Sequence, residues 1–220
     1  MPSEDVDAHS GSHHTPVTEV DFAVAADKRR LRRLARELRQ RTSAQARRER
    51  DTARMRHLMP MVPSDAVVAL YLSKPDEPST LEAAAMLWRR GHRILAPVLS
   101  NDAQVLRRRP SWAWYQGPSR LRSGYRGIPE PTGPALPADA LSEADVILVS
   151  GLAGGRDGSR LGAGAGWFDR ALQHARQDAV VVLLLDDEDV CDSVPSTDHD
   201  LQVDNIVTES GRFRVPSATA

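Results

Sequence analysis

A glycine-rich stretch carries the strongest chemical signal in the sequence. Seven glycines lie between residues 151 and 166, and Arg156, Arg160 and Arg170 lie in or beside this stretch. Glycines let backbone N–H groups approach an anion because no Cβ stands in the way, and arginine side chains neutralise phosphate oxygens. Asp169 adds a carboxylate of the kind that binds a magnesium ion. The composition therefore indicates a phosphate-binding loop, although a solvated glycine-rich surface loop accounts for it equally well.

The segments on either side of this loop fit the phosphate-binding interpretation. Residues 144–151 form a β-branched apolar run, which is typical of a buried strand. Residues 167–175 place apolar side chains at helical spacing. A helix N-terminus directly after a glycine loop adds a partial positive charge that favours an anion. The glycine spacing matches neither G-x-G-x-x-G nor the P-loop, so neither motif identifies the ligand.

Length and composition indicate one soluble cytoplasmic domain. The chain has 220 residues, of which 40% are hydrophobic, and a formal net charge of −1. This size is enough to bury one core. We expect a disordered tail at residues 1–22, the domain at residues 23–212 and a short tail at residues 213–220. The apolar runs are too short to span a bilayer, and the single cysteine, Cys191, fits a reducing compartment as a small apolar filler.

A long basic helix is predicted near the N-terminus. It is expected to start at Asp27, as its N-cap, and to reach about Leu58, with an interruption near Arg41. Its apolar residues at helical spacing are expected on one face: Leu31, Leu34 and Leu38.

A βαβ unit follows this helix. Residues 65–73 and 92–99 predict strands, and residues 81–91 predict a helix that Gly91 ends as a C′ residue. Residues 179–185 predict a further buried strand. The unit favours a parallel sheet, with ligands at the carboxyl ends of its strands.

Two other segments give local predictions. Alternation places Trp112 and Trp114 on one face of an extended segment and Tyr115 on the other. The stretch rich in Pro, Gly and Ala from 129 to 138 predicts a connector.

Charge is distributed unevenly along the chain. Residues 28–56 contain thirteen basic and three acidic residues, whereas residues 186–204 contain eight acidic residues and no lysine or arginine. A basic segment of this kind can bind nucleic acid. It can equally be a helix face that pairs with the acidic end of the fold, and we favour this pairing.

Residues 157–170, DGSRLGAGAGWFDR, resemble the G-x-R-x-G-x-G-x-G-Y-Y-D-R signature of the 5-formyltetrahydrofolate cyclo-ligase family. Trp167 and Phe168 replace the two tyrosines, which keeps the aromatic rings but loses the hydroxyl groups. The signature residues that match are Gly158, Arg160, Gly162, Gly164, Gly166, Asp169 and Arg170.

Further segments repeat the resemblance in the same order. KRRLR (28–32) resembles the opening K-x-x-L-R of the family, and GIPEP (127–131) resembles its G-I-x-E-P. The family ending V-P-x-x-x-H-D-x-x-V-D-x-I-I-T is matched at Pro195, His199, Asp200, Val203, Asp204, Ile206 and Thr208. The resemblance covers residues 27–210 approximately.

This resemblance implies a three-layer α/β sandwich with a mostly parallel, Rossmann-like sheet. It also implies an enzyme that uses ATP and Mg²⁺ to convert 5-formyltetrahydrofolate to 5,10-methenyltetrahydrofolate, with release of ADP and phosphate. Lys28 and Arg160 would be catalytic because they neutralise phosphate charge. The implied ATP contacts are Lys28, Arg29, Arg30, Leu31, Arg32, Arg160, Leu161, Gly162, Ala163, Gly164, Ala165, Gly166, Trp167 and Phe168.

The resemblance also implies folate and metal contacts. The implied substrate contacts are Arg32, Lys74, Glu77, Ser79, Trp112 and Glu130, and the implied magnesium ligands are Asp169 and Asp200. Ser79 stands where the family commonly has an acid, and Trp112 fits ordinary core packing equally well. A polyglutamate tail on the folate would suit the basic N-terminal surface.

Two alternatives to this enzyme stay open. A catalytically silent relative that binds nucleotide or folate would fit the changes at Ser79, Trp167 and Phe168. An RNA-binding protein would use the arginine-rich helix. For the enzyme we expect a monomer with no nucleic-acid partner and no membrane contact.

Overall fold

The structure is a computed structural model that describes residues 19–101, 103, 105–197 and 200–216, with side chains from residue 23 onward. The described residues form four α-helices: α1 (Glu19–Arg41), α2 (Ala44–Leu58), α3 (Leu81–Arg89) and α4 (Trp167–Leu172). They form twelve strands: β1 (Val68–Leu70), β2 (Ile94–Pro97), β3 (Trp112–Trp114), β4 (Leu121–Ser123), β5 (Pro129–Pro131), β6 (Val146–Ser150), β7 (Ala153–Gly155), β8 (Arg160–Leu161), β9 (Val180–Leu184), β10 (Val190–Cys191), β11 (Asn205–Val207) and β12 (Arg212–Arg214). No helix in the described part of the chain is long and apolar enough to cross a membrane.

Seven of these strands form the central sheet, in the order β12–β11–β9–β6–β1–β2–β3. The five inner strands are parallel, and the antiparallel strands β12 and β3 close the two edges. The predicted unit β1–α3–β2 is therefore confirmed. Parallel strands end at one edge of a sheet, so the loops that follow β1, β2, β6 and β9 gather at that edge. Two small sheets, β10–β7–β8 and β4–β5, complete the strands.

Helices cover both faces of the central sheet. One face buries Leu58 of α2 and Leu87 of α3. The opposite face buries Trp167 of α4 together with Trp112 and Leu141. Each face of the sheet must exclude water from its apolar side chains, and the helices do this on both sides. The predicted three-layer α/β class is confirmed.

Alternation along β3 also follows the prediction. Trp112 and Trp114 pack against the core on the α4 face, and Tyr115 packs in the core on the other face.

The N-terminal helical region consists of two helices. α1 begins at Glu19, so Asp27 lies within the helix and the prediction that it is the N-cap is wrong. The chain breaks after Arg41, as predicted, and Ser43 caps α2. The Ser43 Oγ accepts a hydrogen bond from the Ala46 amide at 3.1 Å, which satisfies one unpaired N–H of the first turn.

The buried face of α1 differs from the predicted one. Leu34 and Leu38 are 41% and 42% exposed, whereas Ala35 and Arg39 are buried. Leu31 packs against a small core cluster. The prediction of a common apolar face is therefore wrong for Leu34 and Leu38. The helix is oriented by the hydrogen bonds of its basic side chains, which sequence periodicity does not register.

Gly91 ends α3 as predicted. It has a φ of +91°, and its amide donates to Trp88 O at 3.0 Å. The amide of His92 donates to Leu87 O at 3.1 Å. Together these two bonds form a Schellman motif, which favours glycine because of the left-handed φ.

The predicted domain boundaries fall inside elements of structure. α1 crosses residue 22, and β12 crosses residue 212 with Phe213 paired to Ile206. β5 lies within the predicted connector at residues 129–138, because proline is tolerated in a two-stranded edge pairing. Residues 1–18 and 217–220 of the predicted tails lie outside the described residues, as does His199.

Candidate active site

α1 lies across the glycine-rich loop and holds its backbone carbonyl groups. Arg32 Nε donates to Gly162 O at 2.9 Å, and Arg36 Nη2 donates to Ala163 O at 3.1 Å. Burial and the neighbouring Arg36 lower the pKa of Arg32, but an arginine keeps its charge at neutral pH. Arg32 therefore brings a fixed positive charge to the loop.

The loop directs its amide groups away from these arginines. Arg170 Nη1 also donates to the loop, at Ala165 O and 3.0 Å. In a trans peptide the C=O and N–H groups point in opposite directions, so the amides that follow these carbonyls face away from the arginines. None of the N–H groups of residues 162–166 donates to an acceptor among the described residues. Gly164 and Gly166 have φ values of +109° and +60°, a left-handed backbone that favours glycine and that occurs in loops whose amides bind anions.

Lys28 and Asp200 meet across the site. Lys28 Nζ lies 2.5 Å from Asp200 Oδ2, which also accepts from the Thr197 amide at 2.6 Å. Burial alone would raise the pKa of Asp200, but the bonds from Lys28 and Thr197 outweigh it, and the pKa lies below its ordinary value. Asp200 is therefore ionised at neutral pH beside the lysine of α1.

Arg160 and Asp169 form a second ion pair in the loop region. The Arg160 side chain is 3% exposed and its Nη2 contacts Asp169 Oδ1. The Arg160 Nη1 also donates to Ser150 O at 3.3 Å, at the end of β6. The pair connects the loop to the carboxyl edge of the central sheet.

The two carboxylates suit a magnesium ion. All their hydrogen bonds within the described residues use Oδ1 of Asp169 and Oδ2 of Asp200, so each has one oxygen without such a bond. The negative charges of both carboxylates oppose the lowering of the Arg32 pKa that burial causes. The described residues contain no cluster of three or more His, Cys, Asp or Glu side chains that could hold a metal. A hard cation bound here would complete its shell with water and phosphate oxygens, as Mg²⁺ commonly does.

Arg39 was missed by sequence reasoning. It is 4% exposed, and its Nε and Nη2 donate to Asp189 Oδ2 at 3.0 and 2.7 Å. Its Nη2 also donates to Gly151 O at 2.8 Å, just after β6. Burial raises the pKa of Asp189, and the charge of Arg39 partly opposes this shift. The helical spacing of Lys28, Arg32 and Arg39 on one face is the signal that could have identified it.

Three predicted substrate contacts, Lys74, Glu77 and Ser79, lie in the loop between β1 and α3, and Glu77 lines a small cleft there. The Lys74 amide donates to Glu77 Oε2 at 2.9 Å, and the Ser79 amide donates to Asp51 Oδ1 at 2.9 Å. Burial raises the pKa of Glu77, although Lys74 acts in the opposite direction. Arg39 lines the same cleft, which brings Glu77 next to α1.

Comparisons with known proteins agree with this geometry. The 5-formyltetrahydrofolate cyclo-ligase family matches residues 24–209. A 5-formyltetrahydrofolate cyclo-ligase of Mycolicibacterium smegmatis is 38% identical over 145 residues, which are 66% of this chain and 74% of the relative. The chain belongs to the 5-formyltetrahydrofolate cyclo-ligase family. It is accordingly an enzyme of this ligase class.

Other cyclo-ligases and solved structures are also similar. The cyclo-ligase of Mus musculus is 27% identical over 64% of this chain and 72% of its own length, and that of Escherichia coli K12 is 33% identical over 49% and 57%. The structure of Aquifex aeolicus 5,10-methenyltetrahydrofolate synthetase superposes with a TM-score of 0.72 at 24% identity, covering 88% of this chain and 95% of that one. This superposition shows that the fold is shared.

Two predicted substrate contacts lie inside the protein core. Glu130 is 0% exposed, and its Oε1 accepts from the amides of Leu99 at 3.0 Å and Ser100 at 2.8 Å. Trp112 is 0% exposed, with its ring centroid 5.0 Å from that of Trp167. In this cyclo-ligase the structure places both in the core rather than on a ligand-facing surface. Glu130 anchors the chain after β2, because it satisfies amides that the sheet leaves unpaired.

Of the remaining predicted ATP contacts, two are exposed and four lie in the core or pack against it. Arg29 and Arg30 are exposed on α1. Arg160 Cζ lies 5.8 Å from the ring centroid of Phe168. Four members lie in the core or pack against it: Leu31, Leu161, Trp167 and Phe168.

The basic helices pair with the acidic segment, which confirms the interpretation favoured from the sequence. Arg50 Nη1 lies 2.9 Å from both Asp186 and Glu188. Arg54 is 2% exposed; it contacts Asp186, and its Nε donates to Leu185 O at 2.9 Å. Much of the positive charge that suggested nucleic acid is therefore compensated within the fold.

Proposed function

We propose that this enzyme uses ATP and Mg²⁺ to convert 5-formyltetrahydrofolate to 5,10-methenyltetrahydrofolate, with release of ADP and phosphate. Family membership supports the reaction class. The observation that carries the nucleotide assignment is the loop of residues 162–166, whose N–H groups donate to no described residue and whose carbonyl side is held by Arg32, Arg36 and Arg170. We infer a monomer that acts in the cytoplasm without a nucleic-acid partner.

The chemistry explains why ATP is needed. A formamide oxygen is a poor leaving group, so the γ-phosphoryl group of ATP is first transferred to it, giving an iminium phosphate and ADP. N10 of the folate then attacks the formyl carbon, and the C–O bond breaks to release phosphate. Phosphate takes up the proton lost from N10. Positioning and charge neutralisation supply most of the catalysis, because phosphoryl transfer requires little covalent chemistry from the protein.

The ion pairs of the site suggest how the charges are used. Lys28 is paired with Asp200 and Arg160 with Asp169. When ATP enters, the phosphates attract the two cations, and the two carboxylates become available as magnesium ligands. The ion, when bound there, neutralises phosphate charge. An exchange of partners of this kind keeps every buried charge compensated. This avoids the high cost of an unpaired buried charge.

The folate is proposed to bind next to the loop that follows β1, where Lys74, Glu77 and Ser79 lie. In this loop the Lys74 amide donates to Glu77 and the Ser79 amide donates to Asp51, while Arg32 borders the glycine-rich loop. Glu77 has a raised pKa because of burial, so it is suited to a hydrogen bond with a polar ring edge. Glu130 and Trp112, which are enclosed in the core, are assigned structural roles.

A turnover assay tests the proposal. Purified protein with ATP, Mg²⁺ and 5-formyltetrahydrofolate should produce methenyltetrahydrofolate absorbance. Lys28→Ala and Arg32→Ala should each reduce turnover by about a hundredfold, the typical effect of removing a group that stabilises developing charge. Arg33→Ala and Arg48→Ala are matched controls because both side chains are exposed on the same basic helices.

The same variants separate catalysis from RNA binding. An RNA-binding arm would lose RNA affinity in all four variants to a similar extent, and added salt would weaken the binding steeply. Equal turnover losses in the Lys28, Arg32, Arg33 and Arg48 variants would contradict the active-site assignment. A protein that binds ATP and folate without turnover would be the silent relative.

A further inference from the structure

The loop between β1 and α3, which carries three of the predicted substrate contacts, has a fixed base and a less constrained tip. At the base, the Ser73 amide donates to Thr80 Oγ1 at 3.2 Å, and the Thr80 amide donates to Ser73 Oγ at 3.1 Å; both bonds are buried. Within the loop, the tip is closed by Lys74 and Glu77, whose amides donate to Glu77 Oε2 at 2.9 Å and to Lys74 O at 3.1 Å. The position of the tip therefore depends on what holds it from outside the loop.

One arginine of α2 holds this tip. Arg47 Nη1 donates to Pro75 O at 3.2 Å, and Arg47 Nη2 donates to Arg39 O, in the last turn of α1, at 2.8 Å. Among the residues that the structure describes, no other side chain forms hydrogen bonds with both α1 and this loop. A guanidinium presents its donors in a rigid planar fork, so this one group fixes the spacing of the two carbonyls. Arg47 therefore links the loop directly to α1.

Polar side chains orient α1 at the candidate active site. Lys28 pairs with Asp200, and Arg32 holds a carbonyl of the glycine-rich loop, whereas two leucines of the helix are exposed. A segment with few buried apolar contacts belongs to the less stable part of a fold. A nucleotide that adds bonds to Lys28 and Arg32 would therefore hold the helix more firmly, including the carbonyl that Arg47 contacts.

We propose that Arg47 is a positioning residue that couples the two substrates: ATP held by α1 fixes the tip of the loop through Arg47 and so raises the affinity for the folate. The inference rests on the proposed function, which supplies both ligands. Because a coupling free energy is shared, the folate raises the affinity for ATP by the same factor. The bond to Pro75 O is exposed to solvent. The net contribution of one such hydrogen bond sets the factor at about three- to tenfold.

Equilibrium binding tests this coupling without turnover. 5-Formyltetrahydrofolate is titrated into the protein by calorimetry, with and without Mg²⁺ and a non-hydrolysable ATP analogue. The analogue should tighten folate binding about three- to tenfold in the wild type and less than about twofold in Arg47→Gln. Arg47→Lys should behave like Arg47→Gln, because an ammonium keeps the charge but does not hold two carbonyls at a fixed spacing. The affinity for the analogue alone should stay unchanged in both variants.

Hydrogen exchange separates the coupling from the proposed function, because it needs the ATP analogue alone. The analogue should slow exchange in peptides that cover residues 74–79 of the wild type but not of the two Arg47 variants. Arg48→Gln is the matched control, since Arg48 is the neighbouring exposed arginine of α2, and it should behave like the wild type. Absence of folate binding or turnover would refute the proposed function, and the exchange measurement would still decide whether the loop is coupled to the nucleotide site.

Two results would overturn the coupling. The first is an effect of the analogue, on folate affinity or on exchange of the loop, that is absent from the wild type or unchanged in Arg47→Gln. The second is a similar loss of affinity for both ligands in Arg47→Gln, with a lower Tm and the coupling retained. That result would show that Arg47 only stabilises the end of α1.

Discussion

The buried ion pair between Arg39 and Asp189 should hold α1 in place over the active site. Arg39→Met keeps the aliphatic length of the side chain and removes three hydrogen bonds, two to Asp189 Oδ2 and one to Gly151 O. It leaves the Asp189 side chain, which is 2% exposed, as a buried carboxylate without its cation.

The expected cost follows from this burial. Removing one partner of a buried ion pair costs about 3–5 kcal/mol, because the remaining charge is left in a poor environment. For a protein of this size each kcal/mol lowers Tm by about 2–4 °C, so Arg39→Met should lower Tm by roughly 6–20 °C. The exposed Arg33→Met on the same helix should change Tm by only about 1–2 °C.

A double-mutant cycle isolates the pair. Arg39→Met, Asp189→Asn and the double variant are unfolded in urea, and their free energies of unfolding are compared. Because the double variant leaves no unpaired charge, it should be more stable than the sum of the single effects predicts, by about 1–3 kcal/mol. Turnover measured well below the Tm should also fall in Arg39→Met, since Lys28 and Arg32 are placed by the same helix. Additive free energies would refute the coupling, and unchanged turnover would refute the positioning role.

Three further predictions concern the loop and its carboxylates. Gly164→Val should lower ATP affinity at least about tenfold in a folded protein, because a left-handed φ costs a side chain about 1–2 kcal/mol and the strain displaces the loop amides. Gly211→Val is the control, because a Cβ at Gly211 meets no atom within 4 Å, and it should keep its ATP affinity. Equal ATP affinity in the two variants would contradict this prediction. Asp169→Asn should raise the Mg²⁺ concentration for half-maximal turnover by roughly tenfold, since the amide lacks the charge that a hard cation prefers, and superimposable magnesium titrations would contradict it. Asp200 has a lowered pKa in the folded state, so its stabilising effect is present above its unfolded pKa of about 3.9 and disappears as the pH falls through the folded value. The difference in unfolding free energy between wild type and Asp200→Asn should therefore shrink in acid, and a constant difference would count against the Lys28 pairing.

Local patterns predicted much of the fold. The strands around residues 65–73 and 92–99 were visible because apolar β-branched runs are a short-range signal. The end of α3 was predictable because the residue just after a helix commonly has a left-handed φ, which favours glycine, here Gly91. The glycine loop was found in the same way, from residues that are adjacent in the chain.

Long-range pairing accounts for what the sequence did not reveal. Arg39 lies on the face of α1 that carries Lys28 and Arg32, but the sequence does not show that it is buried; its contact with Asp189, 150 positions away, does. The exposure of Leu34 and Leu38 has the same origin, since ion pairs rather than leucines orient α1. Glu130 matched a family motif, but its burial depends on amides of Leu99 and Ser100 that a motif does not record.

The separation in sequence of the two halves of the site has a consequence for synthesis of the chain. Lys28 contacts Asp200 across 172 positions, and Arg54 contacts Asp186 across 132. On the ribosome, the residues of α1 and α2 emerge long before these distant acidic partners, so the nascent chain carries a segment with a large excess of positive charge. Contacts this distant close slowly, because the chain must order a long loop before they form. Translation pauses after β9 would therefore prolong a cationic intermediate in which the sheet has started to form and the candidate site is still incomplete.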